Sequence, residues 1–224
     1  MRHDPEPQAG VVVVGSLNRD LVFYMDRWPG VGETVTADET RFGTGGKGAN
    51  QAAAAARMGS RTLFVGAIGD DAFGADAERD LSAFGVSLAL RKIAAGLAFI
   101  KAGPDGGNII RIVQGANALL GVGAIVDNHL AIQSEKVVLL QNETALATAI
   151  AEALCAGTGG AVVVMAPVPA PGPMWPADVI SHFDILTPNA TEVGLITGVT
   201  PPNLTEGLRV AHVLAGNDPA WVLT

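Results

Sequence analysis

Cysteine, aromatic residues and basic charge are all scarce in this chain, and each scarcity excludes something. Cys155 is the one cysteine among 224 residues, so neither an internal disulfide nor a cysteine metal cluster can form. It lies in an alanine-rich stretch that reads as a helix, where a buried structural thiol is the expectation. Aromatics make up only 5% of the chain against 49% hydrophobic residues and 28 glycines, so the core must be built from Val, Ala and Leu. Lys and Arg number 14 against 22 Asp and Glu, a net charge of −8. That balance argues against nucleic acid or an anionic membrane surface as the main partner. No apolar run is long enough to span a bilayer, and the polar start from Met1 to Ala9 lacks the apolar segment of a signal peptide. The expectation is a soluble cytoplasmic protein. His129, His182 and His212 have no partner at metal-ligand spacing, and His3 falls in the polar start.

What is present centres on Gly43-Thr44-Gly45-Gly46-Lys47-Gly48-Ala49-Asn50-Gln51-Ala52, which runs into an alanine-rich helix. Free N–H groups and the positive end of the dipole at a helix start await a polar ligand. Two generic readings fail. The G-x-G-x-x-G dinucleotide pattern requires a buried strand just before it, but Ala37–Phe42 is polar, and no acidic residue follows before Asp70. A Walker A loop would need Ser or Thr where Gly48 stands and glycine where Arg41 stands. A glycine-rich turn that merely starts a helix stays open on this motif alone.

Along the chain, short apolar runs alternate with helical segments. Strands are expected at Val11–Val14, Thr62–Ala67, Lys136–Leu140, Ala161–Met165 and Asp184–Leu186, without the polar alternation of a half-exposed sheet. Helices are expected at Ala49–Met58, Ala75–Phe84, Thr144–Ala156, Thr191–Thr197 and Glu206–Leu214, with Gly59, Gly85 and Gly157 as C-terminal caps. The alternation predicts a doubly wound, mainly parallel α/β sheet. Two stretches read instead as antiparallel pairs: Leu21–Tyr24 with Glu33–Thr36, and Ala98–Lys101 with Asn108–Arg111 around a Gly103–Gly107 turn. Ala166 to Pro176, with five prolines, reads as a stiff loop.

Ligands of open α/β sheets bind beyond the carboxyl ends of the strands. Asn18 and Asp20 follow the first strand, and Glu143 follows the strand ending near Leu140. With the Gly46–Asn50 loop they converge on one rim, where carboxylates accept from hydroxyls while Lys47 and Asn50 donate. A polyhydroxylated ligand suits that set. Asn189 and Glu192 stand at a helix start. Their spacing suits a capping box, and equally a phosphate oxygen with a hydrated Mg²⁺.

Seven segments occur in a fixed order: Gly15–Asp20, Pro29–Val35, the glycine loop, Val65–Gly74, Gly115–Asn117, Leu140–Glu143 and Leu186–Glu192. In that order and spacing the chain, from about Val11 onward, resembles the ribokinase-like (phosphofructokinase-B) family of carbohydrate kinases. The resemblance implies one ribokinase-like domain over residues 10–224, with a small β-lid from segments about 21–42 and 96–113. It implies a sugar pocket lined by Asn18, Asp20, Gly46, Lys47, Gly48, Asn50 and Glu143. It also places Asn189 near the nucleotide and Glu192 near Mg²⁺, with ATP as phosphoryl donor and two copies pairing through the lid.

The chain departs from the family pattern at Ala166, where an asparagine is usual, and at Ala95, where a hydroxyl residue is common. Both changes put ribose itself in question. Family members continue past the strand that starts at Trp221, into a Gly-Ala-Gly-Asp type anion hole with the catalytic Asp and a monovalent-cation site. No Gly-x-Gly-Asp occurs in the second half of this chain. The expectation is a C-terminally truncated kinase of a sugar such as a pentose. A non-catalytic sugar- or nucleoside-binding protein derived from the same fold is the alternative.

Overall fold

The computed structural model describes residues 10–93, 97–103, 105–170, 177–203, 205–207, 209–210 and 220–221. Its centre is β1 (Gly10–Val14), whose every residue is buried. Val11 and Val13 enter one apolar cluster, and Val12 and Val14 enter another on the opposite face. A strand of four valines can only be buried on both sides, because alternate side chains point to opposite faces.

Around β1 the strands β4 (Arg61–Gly69), β5 (Ser87–Ile93), β8 (Val137–Gln141), β9 (Val162–Ala166), β10 (Ile185–Leu186) and β11 (Ala220–Trp221) form a seven-stranded sheet of order β11-β10-β9-β8-β1-β4-β5. Every pairing in it is parallel. Helices α1 (Lys47–Arg57) and α2 (Ala72–Ser82) cover one face. There Ala49, Ala52, Ala77 and Leu81 pack with Phe64 and Ile68. On the other face lie α3 (Val122–Asp127), α4 (His129–Ser134) and α5 (Leu146–Gly159). The shorter α6 (Ala177–Ile180) and α7 (Ala190–Thr197) follow later in the chain. The chain winds from β1 towards β4 and β5, then returns to β8 on the other side. The order therefore reverses between β1 and β8, which is where such sheets open a ligand crevice.

A second sheet, of order β3-β2-β6-β7, stands over that crevice. It comprises β2 (Asn18–Tyr24), β3 (Glu39–Gly45), β6 (Leu97–Ala102) and β7 (Asn108–Val113). The partner of β2 is not Glu33–Thr36 but Glu39–Gly45, in register from Asn18↔Gly45 to Tyr24↔Glu39. The reason is local. Gly30 to Glu33 closes a turn, with Glu33 N–H donating to Gly30 carbonyl and Gly30 N–H donating to the Glu33 carboxylate. Pairing resumes only where Asp38 N–H donates to the Tyr24 carbonyl. The polar Glu39–Phe42 stretch is thus an edge strand of the small sheet. The two expected pairs also form one sheet, because β2 and β6 run parallel side by side.

The structure differs from the sequence expectations at other points too. β5 was invisible to a search for apolar runs because it is an edge strand with exposed Arg91, Lys92 and Ile93. The cap of α5 is Gly160, with φ of 74°, not Gly157, which lies inside the helix. Of the expected helix at 206–214, residues 206–207 and 209–210 are helical, while 208 and 211–214 lie outside the described residues, as do Ala95, 171–176, His3, His212 and 222–224. Cys155 is only partly buried, at the packing of α5 on α4.

One buried group works against the fold. Glu152 is 0% exposed on the inner face of α5, and neither of its carboxylate oxygens has a hydrogen-bond partner among the described residues. Burial pushes its carboxyl well above the ordinary carboxylate range. The folded protein then holds a proton that the unfolded chain releases above about pH 4.5, so this group lowers stability as pH rises from that value. Glu152→Leu is expected to raise stability at pH 8 by about 1–3 kcal/mol, and by less at pH 5. Chemical denaturation at both pH values checks this. A variant less stable than the parent at both would contradict it.

Candidate functional site

Beyond Val14 the chain turns through Gly15 and Ser16, where small residues let α1 approach. A Cβ on Gly48 would lie 2.8 Å from Ser16 N and 2.9 Å from the Gly15 carbonyl carbon. Gly46 has φ of 91°, and a Cβ there would sit 2.8 Å from the Ser16 carbonyl oxygen. Both contacts are with backbone and cannot yield. The glycine loop is therefore a close-packed seat for the helix start.

Glu143, 8% exposed, ties this seat together. Its Oε2 accepts from the Ser16 hydroxyl and from Lys47 N–H at 2.8 Å. The Ser16 hydroxyl in turn accepts from Gly48 N–H at 3.4 Å. The second Glu143 oxygen has no hydrogen bond among the described residues. Below lies Gln141, 1% exposed, whose amide donates to Gln51 Oε1 at 2.5 Å.

Asn18 is held by a residue the sequence reading passed over as a ligand. Asn117 Oδ1 accepts from Leu17 N–H at 3.0 Å, which fixes the orientation of its amide. Asn117 Nδ2 then donates to Asn18 Oδ1 at 2.7 Å. The oxygen of Asn18 is thereby used, and its NH₂ group is left to donate to a ligand. Asn117 lies within the Gly115-Ala116-Asn117 segment, so its importance was legible while its role was not.

Asp20, half-buried, is the acceptor beside that donor. Burial, then the negative charge of Glu143, push its carboxyl up to about 6, while Arg19 opposes the rise.

Asn18, Asp20, Gly46, Lys47, Asn50 and Glu143 line one cleft of about 160 Å³, roofed by Ala98 and Ile100 of β6 and Ile110 and Ile112 of β7. A neighbouring hollow of about 220 Å³ shares Asn18, Ile112 and Glu143 and adds Ser16, Gln114, Asn117 and Pro169. Of the expected set, Gly48 does not line the cleft; it packs beneath it. The apolar roof was missed, because alternation on a lid strand does not reveal which face meets a ligand.

Asn189 and Glu192 stand apart, at the start of α7 after β10. That strand is three places from β1, roughly 14 Å along the sheet. They form a full capping box: Asn189 Oδ1 accepts from Glu192 N–H at 2.9 Å, and Glu192 accepts from Asn189 N–H at 2.9 Å and Nδ2 at 2.8 Å. Among the described residues no group of three His, Cys, Asp or Glu is placed to hold a metal. Ala166 ends β9, opposite Gln141.

The sequence model of the pfkB family of carbohydrate kinases matches residues 8–223. The chain belongs to that family. It is 32% identical over 207 residues to the ribokinase of Haemophilus influenzae, covering 91% of this chain and 67% of the relative. It is 34% identical over 213 residues to the ribokinase of Mus musculus, covering 93% and 66%. The chain thus spans about two thirds of the length of these relatives. Among solved structures, that of Arabidopsis thaliana ribokinase complexed with ribose and ATP matches with a TM-score of 0.82 at 29% identity, over 96% of this chain and 72% of the other. The ribokinase-like fold follows.

The packing of the seat gives a direct expectation. Gly46→Ala forces an unfavourable backbone and a clash with Ser16, so it should destabilise the protein by about 1–3 kcal/mol. Thermal melting checks this. An unchanged melting temperature would mean that the loop is loose.

Proposed function

We propose that this pfkB family member is an ATP-dependent sugar kinase of the ribokinase type, acting on a hydroxyl of a pentose such as ribose. The observation that carries the reading is the convergence of a fixed donor, Asn18, and two carboxylates, Asp20 and Glu143, under an apolar roof. Carboxylates accept from sugar hydroxyls, Lys47 and Asn50 donate from the rim, and aliphatic roof residues suit the C–H face of a small ring. The relatives named ribokinase, and the solved relative holding ribose and ATP, support the same substrate pair.

In this reading Asn189 meets a nucleotide phosphate and Glu192 its Mg²⁺. The fit is that of a metal arriving with the nucleotide, not of a protein cage. Mg²⁺ keeps several waters and needs one or two carboxylates, and each Glu192 oxygen retains acceptor capacity beyond its bond to Asn189. When bound, the metal would neutralise charge on the phosphates. The contribution of the residues described is to bind and orient the sugar under the roof.

No helix among the described residues is long and apolar enough to cross a membrane, and we propose a cytoplasmic setting. We also propose that two copies pair through the lid, whose Phe99, Ile109 and Val113 are exposed. A concentration-dependent dimer by light scattering, lost in a Phe99→Glu variant, would be its signature.

Asp20 supplies the pH dependence. Its carboxyl titrates near 6 in the folded protein against an ordinary 3.8, so below about pH 6 it gains a proton and loses acceptor capacity. Ribose affinity measured by calorimetry should fall between pH 7.5 and 5.5. Asp20→Asn should abolish that dependence and weaken binding by about 1–3 kcal/mol. The same variant should be more stable than the parent at pH 7.5, since the ionised carboxylate is disfavoured by burial and by Glu143. Unchanged ribose affinity in both Asp20→Asn and Glu143→Gln would refute the site. A coupled ADP-release assay with pentoses tests phosphoryl transfer separately.

A further inference from the structure

Arg19 sits between Asn18 and Asp20 on β2, and the alternation of the strand sends its side chain away from theirs. Only 10% of that side chain is exposed. Nη1 donates to Asp80 Oδ2 at 2.7 Å and to the Thr44 hydroxyl at 3.3 Å, and Nη2 lies 3.6 Å from Asp76 Oδ2. Thr44 is opposite Arg19 in the β2/β3 register and donates to the same Asp80 oxygen at 2.8 Å. Burial works against ionised Asp80, but Thr44, Arg19 and Arg79 hold its carboxyl below the ordinary value. Arg79 reaches the same acids from outside, 2.7 Å from Asp76 and 3.5 Å from Asp80, and is 67% exposed. One nearly buried guanidinium therefore joins the root of the lid, the strand that leads into the glycine loop, and helix α2 of the main layer. Buried arginines are rare unless paired in this way.

On the other side of the strand, two carboxylates face one small space. The charged groups around Asp20 are Glu143 from the loop after β8, Lys47 from the start of α1, and Arg19 on its own strand; β6 and β7 present only Ala98, Ile100, Ile110 and Ile112. Lys47 is exposed to water, where its field is screened, whereas Arg19 acts through the packed interior.

We infer that Arg19 is a positioning residue of the proposed sugar site: anchored to α2 by Asp76 and Asp80, it fixes the Asn18–Asp20 segment against the glycine loop, and its charge behind the strand favours the ionised form of the Asp20 carboxyl. The inference rests on the proposed sugar site, but its first readout requires no sugar.

That readout is the carbon-13 titration of the Asp20 carboxyl in the unliganded protein, assigned with Asp20→Asn. The parent should titrate near 6. Arg19→Met and Arg19→Gln should each move the midpoint upward by about half a pH unit or more, the size expected of one charge acting across a strand. Arg19→Lys should restore much of the difference, and Arg79→Met, which touches the same acids but not the site, should leave the midpoint in place. If Arg19→Met does not fold, Arg19→Gln, which keeps a polar reach, carries the test. An unmoved midpoint in the folded Arg19 variants overturns the inference. In ribose calorimetry, Arg19→Gln should lose more affinity at pH 6.5 than at pH 8. Equal loss at both pH values would reduce Arg19 to a structural prop and overturn its electrostatic role. A shifted midpoint in a protein that binds no ribose would sustain Arg19 and refute the sugar reading instead.

Discussion

The site depends on one carboxylate oxygen. Glu143 Oε2 accepts from the Ser16 hydroxyl after β1 and from the Lys47 amide at the start of α1, while Glu143 itself follows β8. Three segments that are distant in sequence thus meet at one atom, at the point where the strand order reverses. An acceptor at a helix start is favoured by the unpaired N–H groups and the dipole there. The arrangement leaves no room for side chains at Gly46 and Gly48, since a Cβ at either would strike the Ser16 backbone. Removing the Glu143 carboxylate would therefore loosen the seat as well as the cleft, so its binding and structural roles cannot be separated by one substitution.

The same crowding explains the electrostatics. Asp20 lies near Glu143 because both must face the crevice, and the two negative charges raise the cost of ionising the less well-paired one. Glu143 has its donors already, whereas Asp20 relies on a ligand and on the cation behind its strand. Holding two carboxylates to face one crevice thus costs stability. Glu152 is different in kind: its buried carboxyl lies in α5 and lines neither hollow of the site.

Much of this was legible in the sequence, for definite reasons. The valines of β1 could only be central, and the order of small-residue turns gave both the family and the rim residues Asn18, Asp20, Lys47, Asn50 and Glu143. What the sequence hid were relations across the chain. The pairing of β2 with Glu39–Gly45 depends on a turn closed both by the Glu33 backbone N–H and by its carboxylate accepting from Gly30 N–H, which no periodicity reveals. The edge strand β5 carries polar residues that an interior strand would not. Asn117 as the residue that orients Asn18, and Thr44 with Asp76 and Asp80 as the partners of Arg19, require three-dimensional contact. Of the two readings of the Asn189 and Glu192 spacing, the capping box is formed, and the role towards a nucleotide is a proposal.

The central claim is that the crevice between β1 and β8, under the lid, is where a sugar binds. Amide chemical-shift mapping during a ribose titration tests it most directly. The account predicts that the largest changes fall on Asn18, Asp20, Gly46, Lys47, Asn50 and Glu143, with smaller ones on Ala98, Ile110 and Ile112 of the roof. Saturable changes confined to other surfaces, with these residues unmoved, would contradict it.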